Sequence, residues 1–237
     1  MKFFKIHRNY LLNKINIIIM IFTIIVVGVI ALTSILKINN NYSWFLKKEA
    51  MYEYLSNSLL FYKLIIIVLN SYLWGSAFTK EKDSYHLLIS DFNHVKFKYL
   101  LTKITTLIII SLLLIFSFFI IYAFIGIICS NWYEIDKNIV YLFINYLLIV
   151  MIYGLLSIIF SVLFVNEFAY FIAPLFFVFG ELAVDNNDTS IIIKIFQTFF
   201  PNITLDVVSY SSFGIIHLII LSLFYLVIVI IIYMNKT

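Results

Sequence analysis

Residues 104–128 read ITTLIIISLLLIFSFFIIYAFIGII, a run with no charged side chain. A helix needs about 20 such residues to cross a hydrocarbon core of about 30 Å. The run is apolar on every face, and a helix that is hydrophobic all round belongs in lipid or deep inside a protein. A transmembrane β-barrel would show instead segments of about 10 residues that alternate in polarity. These residues therefore place the chain among the α-helical membrane proteins.

The rest of the chain agrees. Of its 237 residues 64% are apolar and 12% charged, with a mean hydropathy of +1.07. A soluble domain is roughly 45–50% apolar and about 25% charged, so this chain lacks the charge to coat a water-facing surface. Only two prolines and six glycines punctuate it, and the single cysteine, Cys129, excludes an intrachain disulfide.

Apolar windows give six spans in one transmembrane domain covering 1–237: Ile15 to Leu36, Leu59 to Phe78, Ile104 to Ile128, Ile139 to Val165, Phe168 to Val184, and Phe213 to Tyr233. The first is too long for the apolar part of a cleavable signal, and no small-x-small site follows it. Pro174 interrupts the fifth, which a membrane helix tolerates when neighbours satisfy the freed carbonyl.

Six spans put both termini on one side. That side carries Lys2, Lys5, Arg8, Lys14, Lys80, Lys82, Lys96, Lys98, Lys103 and Lys236, ten cations. The other has five, Lys37, Lys47, Lys48, Lys137 and Lys194, while Lys63 lies inside the second span. The bias predicts cytoplasmic termini in a plasma membrane. Glu49, Glu53, Glu134, Asp136, Asp185, Asp188 and Asp206 all fall outside, so the net charge of +4 orients the chain in lipid and is no nucleic-acid footprint.

Between spans two and three, residues 79–103 read TKEKDSYHLLISDFNHVKFKYLLTK. Tyr85, Leu88, Ile89 and Phe92 recur at helical spacing, with Lys82, His86, Ser90 and Asn93 mostly opposite. The pattern reads either as an amphipathic helix for the membrane surface or a partner groove, or as a connecting loop with its lysines near headgroups. Outside, Ser43 to Leu55 is expected to lie along the outer interface. Before span six, Ile191, Ile195, Phe199 and Phe200 form an apolar face ending at Pro201, with a second short helix expected over Leu205 to Tyr210. Such a broken element enters lipid only if protein covers it; the alternative is a surface loop.

The chemistry-bearing motifs are missing. No G-x-x-x-x-G-K-[ST] and no H-E-x-x-H occurs, and His7, His86, His94 and His217 are scattered away from Cys129. The chain is expected to be no enzyme, with neither catalytic nor metal-ligating residues. Three ionisable residues sit inside spans at similar outer-leaflet depth: Lys63, Glu181 and His217. Such residues face a bundle interior or pair, unless they snorkel to the interface. Asn70 and Ser71, nearer mid-membrane, suit interhelical hydrogen bonds.

The order of these features resembles the permease subunits of type-2 ABC exporters over nearly the whole chain. Glu81, Leu87-Leu88 and Lys103 stand as in that family's cytoplasmic E-x-x-G-T...L-L...K stretch, with Ser84-Tyr85 where Gly-Thr is usual and no proline after the leucines. The resemblance implies an all-α fold with a cytoplasmic helix after span two and a broken re-entrant element before span six. It implies that Lys80, Glu81, Lys82, Tyr85, Leu88 and Ile89 dock on a separate ATPase subunit, which binds the ATP, and that a second permease protomer completes the transporter. Its small members are similar to those that export, or give immunity to, antimicrobial peptides. The rival expectation is a stand-alone membrane sensor or immunity protein that binds a toxin without ATP.

Overall fold

The computed structural model describes residues 12–41, 47–79, 93–131, 133, 137–164, 168–185, 191–201 and 212–235. Among them the regular structure is entirely helical: α1 Lys14–Asn41, α2 Lys47–Thr79, α3 Asn93–Cys129, α4 Lys137–Phe164, a 3-10 turn Ala169–Phe171, α5 Ile172–Asp185, α6 Ile191–Phe199 and α7 Ser212–Asn235. Asn13 starts α1 as its N-cap, its side-chain oxygen accepting the Asn16 N–H at 2.8 Å. Hydroxyls that would be stranded in an apolar helix donate to carbonyls one turn back, as Thr23 does to Ile19 and Ser157 to Tyr153.

Five helices, α1 to α4 and α7, are long and apolar enough to cross a membrane. The fifth expected span differs. It consists of the 3-10 turn followed by the 14-residue α5, and Pro174 falls in the first turn of α5. There its missing N–H costs little, because first-turn N–H groups have no partner within their helix.

One expectation about the segments between spans is corrected, and one choice between two readings is decided in part. The described part of the outer segment, from Lys47 to Leu55, does not lie along the interface but is the first portion of α2. Tyr54 explains why: its ring stacks on Tyr122 at 4.3 Å, and its hydroxyl donates to the Tyr122 carbonyl at 3.1 Å. At the other end, residues 93–103 are not a connecting loop but the first three turns of α3. Residues 80–92 and 202–211, which include the expected surface helix and the helix Leu205 to Tyr210, lie outside the described residues.

Helix α4 is the axis of the bundle, packing chiefly against α2 and α7, while α1 rests on α2 and α3. The close approaches at Gly154 and Gly75 need glycine. A Cβ on Gly154 would enter the Trp74 indole, and one on Gly75 would overlap Tyr170. The resulting contact is locked by polar groups under 2% exposed: Asn70 donates to the Val150 carbonyl at 2.8 Å, Trp74 donates to the Ser111 hydroxyl at 2.9 Å, and Ser111 donates to Asn70. Three helices are thereby joined where the only other partner for these groups would be lipid.

Candidate functional site

Helix α6 is too short to cross a membrane, and Pro201, which has no N–H, stops it. The carbonyls at its end are taken up by side chains of other helices. His217 Nε2 lies 3.0 Å from the Thr198 oxygen, Tyr225 donates to Phe199 at 3.0 Å, and Tyr153 donates to Pro201 at 3.3 Å. Because a carbonyl only accepts, His217 must carry its proton on Nε2. Tyr153 stands about 24 Å along α4 from Lys137, and Tyr225 about 20 Å along α7 from Ser212, at 1.5 Å per residue. The end of α6 therefore lies against the middle portions of α4 and α7, with Pro201 buried and Thr198 and Phe199 still exposed. From α5, Phe176 stacks on Phe200 at 4.6 Å and closes the remaining side.

Next to this end, the Lys63 ammonium of α2 and the Glu181 carboxylate of α5 form an ion pair, with side chains 13% and 21% exposed. Tyr153 lies within electrostatic reach of both Glu181 and Tyr225, so one polar seam runs from the ion pair to the end of α6. The structure thus brings Lys63 and Glu181 together and places His217 on α6 instead. Tyr153 and Tyr225 are not singled out by sequence reasoning. Their one signal is position: tyrosines favour the membrane interfaces, and these two lie well inside their helices.

The candidate docking residues Lys80, Glu81, Lys82, Tyr85, Leu88 and Ile89 lie outside the described residues, but the helix ends on both sides of them are described. Lys103 of α3 donates to the Ala77 carbonyl near the end of α2 at 2.6 Å, with its ammonium 4.2 Å from the centre of the Phe78 ring. Seven residues earlier on the same face, Lys96 donates to the Met234 carbonyl at the end of α7, 3.2 Å away, under Tyr233. Both lysines are 2% exposed, so they do not reach for headgroups as their charge suggests. A cation at a helix C-terminus meets the negative end of the macrodipole and carbonyls with no partner of their own. Helices α2, α3 and α7 are bound together at this end.

At the opposite end, Tyr54, Tyr122 and Tyr133 cluster, and burial pushes the Tyr133 phenol up to about 12. Among the described residues no three His, Cys, Asp or Glu side chains converge as a metal site would require. The contacts that do stand out tie helix ends to neighbouring helices. No family model, curated protein or solved structure matches the chain.

Proposed function

We propose that this chain is the transmembrane permease subunit of an ATP-driven exporter of the type-2 ABC kind, carrying an amphipathic or apolar cargo such as an antimicrobial peptide. The observation that supports this most is the half-helix α6, whose last carbonyls are bonded by tyrosines from the middle of α4 and α7, just before the last span. A broken element in that place is what distinguishes this class from a plain helical bundle. Taken as one crossing, the 3-10 turn and α5 rise about 27 Å, close to the roughly 30 Å of a hydrocarbon core, so six crossings and cytoplasmic termini remain our reading. Two of the ten cations behind that orientation, Lys96 and Lys103, are engaged inside the bundle but lie at the same end.

In this reading residues 80–89 receive the push of a separate nucleotide-binding subunit. The bonds from Lys103 to α2 and from Lys96 to α7 then make three helices move together. A motor shifts such a bundle only if it binds its two states with different affinity. A second protomer, identical or related, would complete the path. Gentle solubilisation of the tagged chain from its native cells, followed by affinity purification, should bring down a chain with a P-loop. Recovery of the chain alone, bound to a peptide toxin that it retains without ATP, would favour the stand-alone immunity protein instead.

A further inference from the structure

Beside the Asn93 end of α3 runs an open cleft lined by His94, Phe97, Lys98, Leu101, Thr102 and Thr105. Its basic residues differ from their neighbours on the same helix. Lys96 and Lys103 turn inward onto carbonyls, whereas Lys98 and His94 are exposed and neither forms an ion pair among the described residues. The Thr102 and Thr105 hydroxyls donate to Lys98 and Leu101 of their own helix, so the donors left to the cleft are Lys98 and His94.

The cleft is also the end of a longer surface. Phe97 and Leu101, 37% and 38% exposed, begin a stripe that continues along α3 through Ile109, Leu113, Phe116 and Ile120, all exposed. This stripe faces lipid in any bilayer that α3 crosses. Lys98 stands about 9 Å before Ile104, where the uninterrupted apolar run begins, which is headgroup depth. Apolar side chains at acyl depth crowned by unpaired donors at headgroup depth complement one molecule with both parts.

We infer that this face of α3 seats an anionic phospholipid, its phosphodiester against Lys98 and His94 and its acyl chain along Leu101, Thr105 and Ile109. A zwitterionic lipid offers the same tails but cancels the charge that Lys98 would meet. A lysine near an anionic membrane surface contributes enough to change affinity about fivefold. The inference concerns lipid retention alone, so it stands or falls separately from the exporter reading.

The full-length protein, purified in mild detergent, is exposed to phosphatidylglycerol or phosphatidylcholine of identical acyl chains, and bound lipid is read by native mass spectrometry. Phosphatidylglycerol should be retained in preference, and His94→Gln with Lys98→Gln should lower its retention about fivefold or more while leaving phosphatidylcholine unchanged. Lys37→Gln, at the other end of the bundle, should change neither. A photoreactive phosphatidylglycerol should label the peptide containing residues 94–105 in the unaltered protein, which tests the seat without any substitution. Equal retention of the two lipids, an unchanged preference in the double variant, or labelling confined to other helices would overturn the inference. Competition by soluble glycerol phosphate as effective as by the lipid would also overturn it, by showing a free-phosphate site.

Discussion

Tyr153 of α4 donates its hydroxyl to the carbonyl oxygen of Pro201 at 3.3 Å, so the interior of a long helix carries the end of the half-helix α6. Tyr153→Phe keeps the ring in its edge-on contact with Phe177 at 5.4 Å but leaves the buried carbonyl without its donor. That loss costs roughly 1–3 kcal/mol. The thermal midpoint in detergent should fall, and a cysteine placed at Gln197 in a Cys129→Ser background should react faster with a thiol reagent. An unchanged midpoint and labelling rate would mean that the bond does not hold α6.

The ion pair between Lys63 and Glu181 is expected to show strong coupling. Lys63→Met alone strands a carboxylate and Glu181→Gln alone strands an ammonium, whereas the double change strands neither. Each single variant should lose roughly 1.5–3 kcal/mol, and the double variant less than the sum. Additive losses in the double-mutant cycle would show that the partial exposure of the pair lets water replace either partner.

Glycine positions give a graded test of the helix contacts. Gly75→Ala must push Tyr170 and Ser161 aside and should destabilise by roughly 1–3 kcal/mol. Gly214→Ala meets nothing within 4 Å and should be neutral or stabilising by up to about 1 kcal/mol, since alanine is the better helix former. Thermal unfolding of the two variants in the same detergent checks the contrast, and equal midpoints would contradict the close approach of α2 to the 3-10 turn.

The orientation can be read by labelling. In a Cys129-free background, a cysteine at Asn187 should react with an impermeant thiol reagent added outside intact cells, and one at Asn93 only after the membrane is opened. The opposite pattern would reverse the proposed topology.

The exporter reading is tested most directly at Leu88. An aspartate there would place an unpaired carboxylate in an apolar docking groove, removing the roughly 1.5–3 kcal/mol that burial of a leucine contributes. Leu88→Asp should reach the membrane in normal amount but lose ATPase co-purification and export, while Lys236→Asp should retain both. Full export by Leu88→Asp would falsify the docking role of residues 80–89.

Much of this protein follows from its sequence because lipid is an undemanding solvent to predict. Residues 104–128 must be a helix, since every backbone polar group in hydrocarbon has to find its partner within the chain, and the other long apolar runs follow for the same reason. The pairing of Lys63 with Glu181 also left a trace, in two charges at the same depth. The unbroken extension of α2 and α3 beyond their apolar runs left only helical spacing, because Tyr54 and Lys103 are polar enough to suit water and become helix-packing residues only when a neighbouring carbonyl is in reach. Whether a lysine snorkels to headgroups, as Lys98 is free to do, or turns inward, as Lys96 and Lys103 do, depends on which face of α3 meets other helices. The same holds for the end of α6: the sequence alone determined that Pro201 would stop the helix, but only the assembled bundle decided that His217, Tyr225 and Tyr153 would meet the carbonyls it leaves open. Hydropathy is a property of each stretch by itself, whereas a hydrogen bond across 48 residues exists only once the helices have chosen their neighbours.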